Sequence, residues 1–122
     1  MEQVMKNFLA IYLGTPAARE KSGWNELEDS ARRAREAQGM QAWTDWAQLH
    51  ATAIVEQGSP LGKTKRVSPE GIADIRNVMT AYTVVAAESH EAAAKLFENH
   101  PHFTIFPGDS VEIMECLPMP KR

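Results

Sequence analysis

Hydrophobic positions along this chain fall into two unbroken runs and several spaced stripes, and the difference separates strands from helices. The first run, Asn7 to Leu13 (NFLAIYL), is aromatic and β-branched and is stopped by Gly14, Thr15 and Pro16, the pattern of a strand buried on both faces. Phe8, Ala10 and Tyr12 point one way along it and Leu9, Ile11 and Leu13 the other. The second run, Val78 to Ala87 (VMTAYTVVAA), predicts another such strand.

Between the runs the period changes. Asn25 can cap a helix whose third position is Glu28 and whose stop is Gly39, with a thin stripe of Leu27, Ala31 and Ala34 and with Glu28–Arg32 and Asp29–Arg33 pairs on the wet side. A heavier helix is expected over Met40 to about Thr52; Met40, Trp43, Ala47, His50 and Ile54, with Trp46, form the stripe that would seal the core. Ala53 to Val67 reads as extended and is interrupted at Gly58, Ser59, Pro60 and Gly62, and Ser68 to Asn77 reads as a connection. After the second run, Ser89 caps a helix (SHEAAAKLFENH) with a stripe of Ala93, Leu96 and Phe97 that Pro101 ends. A loop from His102 to Asp109 then leads to a last strand, Ser110 to Leu117.

The order is β, α in two pieces, β, β, α, β. It predicts an α+β fold of the ferredoxin-like type, a four-stranded antiparallel sheet with helices on one face, in one domain over residues 1–122. Helices cover only one face of such a sheet, yet the strands are apolar on both. A monomer would leave a large apolar patch in water, so the open face is expected to pack against a second copy in a twofold homodimer.

Composition narrows the function classes. At 13.6 kDa a folded monomer exposes roughly 6,600 Å² against roughly 20,000 Å² unfolded, enough burial for one core. The single cysteine, Cys116, excludes a disulfide scaffold and a Cys-rich zinc site. It reads as a small buried hydrophobe. No apolar run is long enough for a membrane span and MEQVMK is no signal peptide, so a cytoplasmic location is expected. With 13 Lys and Arg against 16 Asp and Glu, the chain lacks the footprint of a nucleic-acid binder. Phosphate loops, G-x-S-x-G, H-E-x-x-H and Rossmann glycines are missing, and no cofactor is expected.

Three runs carry a family resemblance: GSPLG at Gly58 to Gly62, AYTVVAAESHEAAAKLFENHPHF at Ala81 to Phe103, and GDSVEIMECLPMP at Gly108 to Pro120. They resemble the YCII-related (DGPF) family, whose strands and helix read "G-P-L", "Y-x-(I/V)-(I/V)-x-A", "S-x-E-E-A … H-P" and "G-x-(I/V)-E-(I/V)-x-P". The resemblance covers about the last 65 residues and the first strand; the Ser22 to Ala42 region is longer than the short family forms. It implies a dimeric α/β barrel, two ferredoxin-like sheets face to face, and in some members a His and Asp dyad at the first helix. Here Met40 to Ala53 supplies His50. Asp45 precedes it by five residues, about 140° round a helix, so this chain departs from the dyad.

Each candidate site has a chemical reading and a plainer one. Trp43, Trp46 and His50 share a helix face, as an aromatic-walled pocket with an imidazole acid or base would require, or as a core stripe would. His100 and His102 flank Pro101, and a metal would need a third ligand such as Asp109 or Glu112; the favoured alternative is one helix-terminal and one loop histidine, with His102 on a pocket wall. In Lys63-Thr64-Lys65-Arg66 the lysines share a face opposite Arg66, which suits an exposed edge or an anion site with Arg66 as the fork. Glu112 and Glu115 fall on opposite faces, against paired-carboxylate chemistry. Tyr12 and Tyr82 sit on central strands as core or dimer-interface residues whose hydroxyls could reach a cleft.

These readings add up to a homodimer that binds a small organic ligand in a cleft between sheet and helices. His50 would be the catalytic group, with Trp43, Trp46, Arg66, Tyr82 and His102 as ligand contacts and no metal. The alternative is a non-catalytic homodimeric binding or accessory module. Composition separates neither.

Overall fold

A computed structural model describes residues 4–120. The expected single domain over 1–122 takes in residues 1–3 and 121–122, which lie outside the described residues.

The first apolar run forms β1 (Lys6–Leu13), and its alternation decides its burial: Phe8, Ala10 and Tyr12 are fully buried, while Leu9, Ile11 and Leu13 are half-buried on the other side. A short helix, α1 (Pro16–Lys21), follows, capped by the Thr15 hydroxyl with Pro16 in its first turn. No helix was expected there, although Thr-Pro is a regular start signal. A single 3-10 turn (Trp24–Glu26) then leads into α2 (Asp29–Leu49).

Helix α2 corrects the two-helix expectation. It runs unbroken through Gly39, which is buried because the Phe106 ring lies where a Cβ would stand. Glycine is there for close approach, not as a stop. Asn25 does not cap the helix either; it sits in the 3-10 turn and its Oδ1 accepts from Arg19 Nε at 2.7 Å. In place of the two expected i,i+4 pairs, Arg32 reaches Asp29 at 3.4 Å and donates to the Leu27 carbonyl at 3.0 Å. The helix closes at His50, one turn earlier than expected.

The extended region resolves into β2 (Ile54–Glu56), then β3 (Thr64–Ser68) and β4 (Gly71–Ile75). The last two form a hairpin where a connection was expected over Ser68 to Asn77. Ser-Pro-Glu-Gly is the turn: the Glu70 N–H donates to the Ser68 hydroxyl, and Gly71 takes φ 112°. The second apolar run is β5 (Met79–Ala87).

Ser89 caps α3 (His90–Lys95) as expected, accepting from the Ala92 N–H at 3.1 Å. Pro101 opens a further short helix, α4 (Pro101–Thr104), before β6 (Ser110–Glu115). Cys116, just past β6, is exposed rather than buried: its N–H still bonds to the Asn7 carbonyl, and the strand's alternation puts its side chain on the open side with Glu112 and Met114.

The main sheet is antiparallel throughout, in the order β2-β5-β1-β6, and β3-β4 forms a separate two-stranded sheet. The core lies on one face of the main sheet. There Phe8, Ala10, Tyr12, Val85 and Ala87 meet Trp46, Ala93 and Phe97 from the helices, with Trp43, Ile54, Leu96, Val111 and Ile113 around them. The other face presents Leu9, Ile11, Leu13, Tyr82 and Val84 half-buried, with Met114 exposed.

Candidate functional site

Strand alternation brings Tyr12 of β1 and Thr83 of β5 onto the helix side of the sheet. Their hydroxyls meet at 2.9 Å, and Thr83 Oγ1 donates to the Gln57 carbonyl at 3.0 Å, so Tyr12 Oη is the donor of the pair. This relay holds the Gln57 to Pro60 segment against the sheet edge. Burial pushes the Tyr12 hydroxyl up to about 12, against a smaller opposing effect of its bond to Thr83. It stays protonated at any physiological pH.

Gly58 lets that segment approach so closely. Its φ is 79°, and any Cβ there would overlap the carbonyl of Tyr82. Ser59 accepts from the Tyr82 N–H at 3.3 Å, and Pro60 bridges to Ala81. Between this segment, β5 and α2 lies a cavity of about 250 Å³, with Met40 and Trp43 as its apolar wall and Thr44, Gln57, Ser59 and Thr83 as polar lining. Among the described residues, no charged one lines it.

Behind Trp43 stand the two histidines of His-Pro-His. The residue before a proline is driven out of helical geometry. His100 accordingly takes φ −63° and ψ 143°, and its Nδ1 caps α4 by accepting from the His102 N–H at 3.0 Å. That bond puts the ring hydrogen on Nε2, which is buried without a partner among the described residues. The ring sits among those of Trp43 (4.5 Å), Trp46 (4.6 Å) and Tyr12 (5.1 Å). Burial, then the charges of His102 and His50, push it down to about 3. His102 Nε2 donates to the Leu13 carbonyl at 2.7 Å, and burial lowers its pKa too. Both are neutral packing groups. The favoured placement, one at a helix carboxyl end and one in a loop, is therefore corrected: Pro101 starts a helix, so His100 caps an amino end and His102 lies inside α4. Among the described residues no three His, Cys, Asp or Glu side chains cluster as a metal site.

The candidate residues part company here. Trp43 and Tyr82 line the cavity. Trp46 turns into the core and donates its indole N–H to the Leu96 carbonyl at 2.8 Å, and His102 is sealed beneath the cavity's tryptophan wall. His50 closes α2 half-exposed, its ring 5.3 Å from Trp46 and outside the cavity lining. Arg66 is exposed on β3, opposite Ala73, and does not reach the cavity. The Tyr82 hydroxyl donates to Glu56 Oε1 at 2.7 Å, and that bond, with the carboxylate's charge, raises its pKa. Thr44, Gln57, Ser59 and Thr83 were missed as site residues. The G-S-P-L-G breakers marked that segment, but only as a bulge.

No protein-family model matches the chain, and no curated protein matches it. Among solved structures it is similar to 5-chloro-2-hydroxyhydroquinone dehydrochlorinase (TftG) from Burkholderia phenoliruptrix AC1100, in complex with 2,5-dihydroxybenzoquinone, at a TM-score of 0.51 and 14% identity over 88% of this chain and 89% of that one. At that identity the likeness is one of fold, a mixed α+β architecture around a four-stranded antiparallel sheet.

Proposed function

We propose that this chain is a ferredoxin-like, YCII-related protein that binds a small, uncharged, largely planar organic molecule in the cavity beside Trp43, working as a homodimer through the open sheet face. The observation that carries the ligand reading is the lining itself. An indole and a thioether give an apolar wall, three hydroxyls and an amide give orienting groups, and no charge is present to favour an anion. The complex of the similar TftG with 2,5-dihydroxybenzoquinone supports a hydroxylated ring as the first probe.

The dimer reading rests on area. The chain exposes 9093 Å², against the roughly 6,600 Å² expected of a compact monomer of its mass. The excess is larger than the ~800 Å² each partner contributes to a standard interface. Exposed Cys116 suits a reducing, cytoplasmic setting.

Titration with catechol or hydroquinone, both uncharged at neutral pH, followed by tryptophan fluorescence, tests the site. Binding should quench the wild-type signal, and Trp43→Ala should weaken binding at least about tenfold, the cost of losing one aromatic wall. A Trp43→Ala variant that binds as well as wild type defeats the reading.

A second reading, acid/base chemistry at His50, draws on one observation: its half-exposed ring makes no hydrogen bond to the described residues. A turnover assay of His50→Gln against wild type separates it from a binding module.

A further inference from the structure

The β3–β4 hairpin is the part of the molecule that the cavity and the core leave unexplained. Its strands have each other as their one sheet partner, and none of its residues belongs to the core cluster. A lone two-stranded ribbon is marginal in water. Near its tip Val67 pairs with Ile72, 76% and 72% exposed, on the face that also carries the Lys65–Asp74 ion pair. Two large apolar side chains placed opposite one another at the end of a charged ribbon are a contact waiting for a surface.

We infer that this hairpin is an arm that packs on a second copy of the chain. The inference rests on the homodimer reading and extends it to a second contact. Three observations favour a copy over another partner. The surface excess of roughly 2,500 Å² over a compact monomer is about three times the ~800 Å² that each partner gives a standard interface, so the open sheet face need not be the whole contact. The arm is continuous with the open face, since Lys63, Thr64 and Asn77 at its base border the same groove as Met79, the first residue of β5. Charge is complementary as well. Residues 61–78 carry four cations and two acids, while the rest of the chain carries nine cations and fourteen acids. The open face itself presents Glu56 and Glu112. On the arm, Lys65 is neutralised by Asp74, which leaves Lys63 and Arg76 beside the Val67 face to meet an acidic surface, with Arg66 on the opposite side of the ribbon and Glu70 as the one uncompensated acid.

Sedimentation equilibrium of the full chain tests this, with the double variant Val67→Ser, Ile72→Ser beside wild type and the near-UV signal of the tryptophans checking that both are folded. The arm predicts a wild-type dimer and a dissociation constant raised at least about 100-fold in the variant, since a twofold dimer loses four aliphatic side chains from its contacts. Hydrogen exchange on wild type is the second measurement: amides of Thr64 to Ile75 should gain protection as the concentration passes the dissociation constant. A wild-type dimer with unchanged affinity in the variant and no gain in hairpin protection overturns the arm while leaving the sheet-face dimer standing. A wild-type monomer at about 100 μM, well above the affinity of a standard interface, overturns both.

Discussion

Phe8 and Leu9 are neighbours on β1, apolar residues of similar bulk, and the sheet treats them in opposite ways. Phe8 is fully buried with Ala10 and Tyr12 under the helices, while Leu9, Ile11 and Leu13 stay half-exposed on the far side. The strand's composition does not distinguish its two sides; the cover does. Polar groups are divided between the faces in the same manner. On the covered side Tyr12, Thr83 and His102 each find a partner, and His100 Nε2 is left without one. On the open side the main polar contact is the Tyr82–Glu56 bond, which is exposed. One face is finished within the chain and the other is not.

Truncating the two neighbours separately is the sharpest way to break this contrast. Phe8→Ala should cost about 3–5 kcal/mol in urea unfolding, since it opens a cavity in the core. Leu9→Ala, measured in dilute protein, should cost about 1 kcal/mol, because much of its surface is already wet. Equal losses would mean that the two faces are equally buried in solution.

The covered face can also be probed through its histidine. His100 is pushed down to about 3 in the folded chain, while an unfolded imidazole titrates near 6.5. Between those values the unfolded chain holds the extra proton, so stability falls as the pH drops from about 6.5, by up to roughly 1.4 kcal/mol per pH unit. Asparagine can cap α4 without titrating. His100→Asn should therefore show a shallower slope between about pH 5 and 6.5, a window above most carboxylate titration. An unchanged slope in urea melts would place the proton linkage elsewhere, His102 being the next group held down by burial. The smallest effect belongs outside both faces. Lys65→Ala removes a 2.6 Å ion pair between two exposed side chains, and thermal unfolding should register a loss below about 1 kcal/mol.

Much of the fold was legible because strand and cap signals are local. The run NFLAIYL marks β1, Ser89 caps α3, and the four main strands occupy the segments their patterns predict. The errors share a cause. Gly39 looked like a helix stop because nothing local announces that Phe106, far along the chain, packs on it. His100 looked like a helix end, when Pro101 had made it the cap of the next helix. The hairpin's Ser-Pro-Glu-Gly carries a turn signal, but its flanking segments are short, charged and weakly alternating and so give no strand pattern. For the site, helix spacing placed Trp43, Trp46 and His50 on one face; a face spans enough arc that Trp43 meets the cavity, Trp46 the core and His50 the helix end.

By itself the sequence determined the positions of the four main strands, the alternation that splits β1 into two apolar sides, the Ser89 cap, and the absence of the common catalytic motifs. These depend on neighbours within a few residues, where backbone geometry sets direction. Only the tertiary structure decided which apolar side is covered, which tryptophan faces a cavity, and that Thr83 and Gln57 meet Tyr12 across long stretches of chain. Those outcomes depend on which distant surfaces are brought into contact, and residue spacing along one strand or helix carries no record of that.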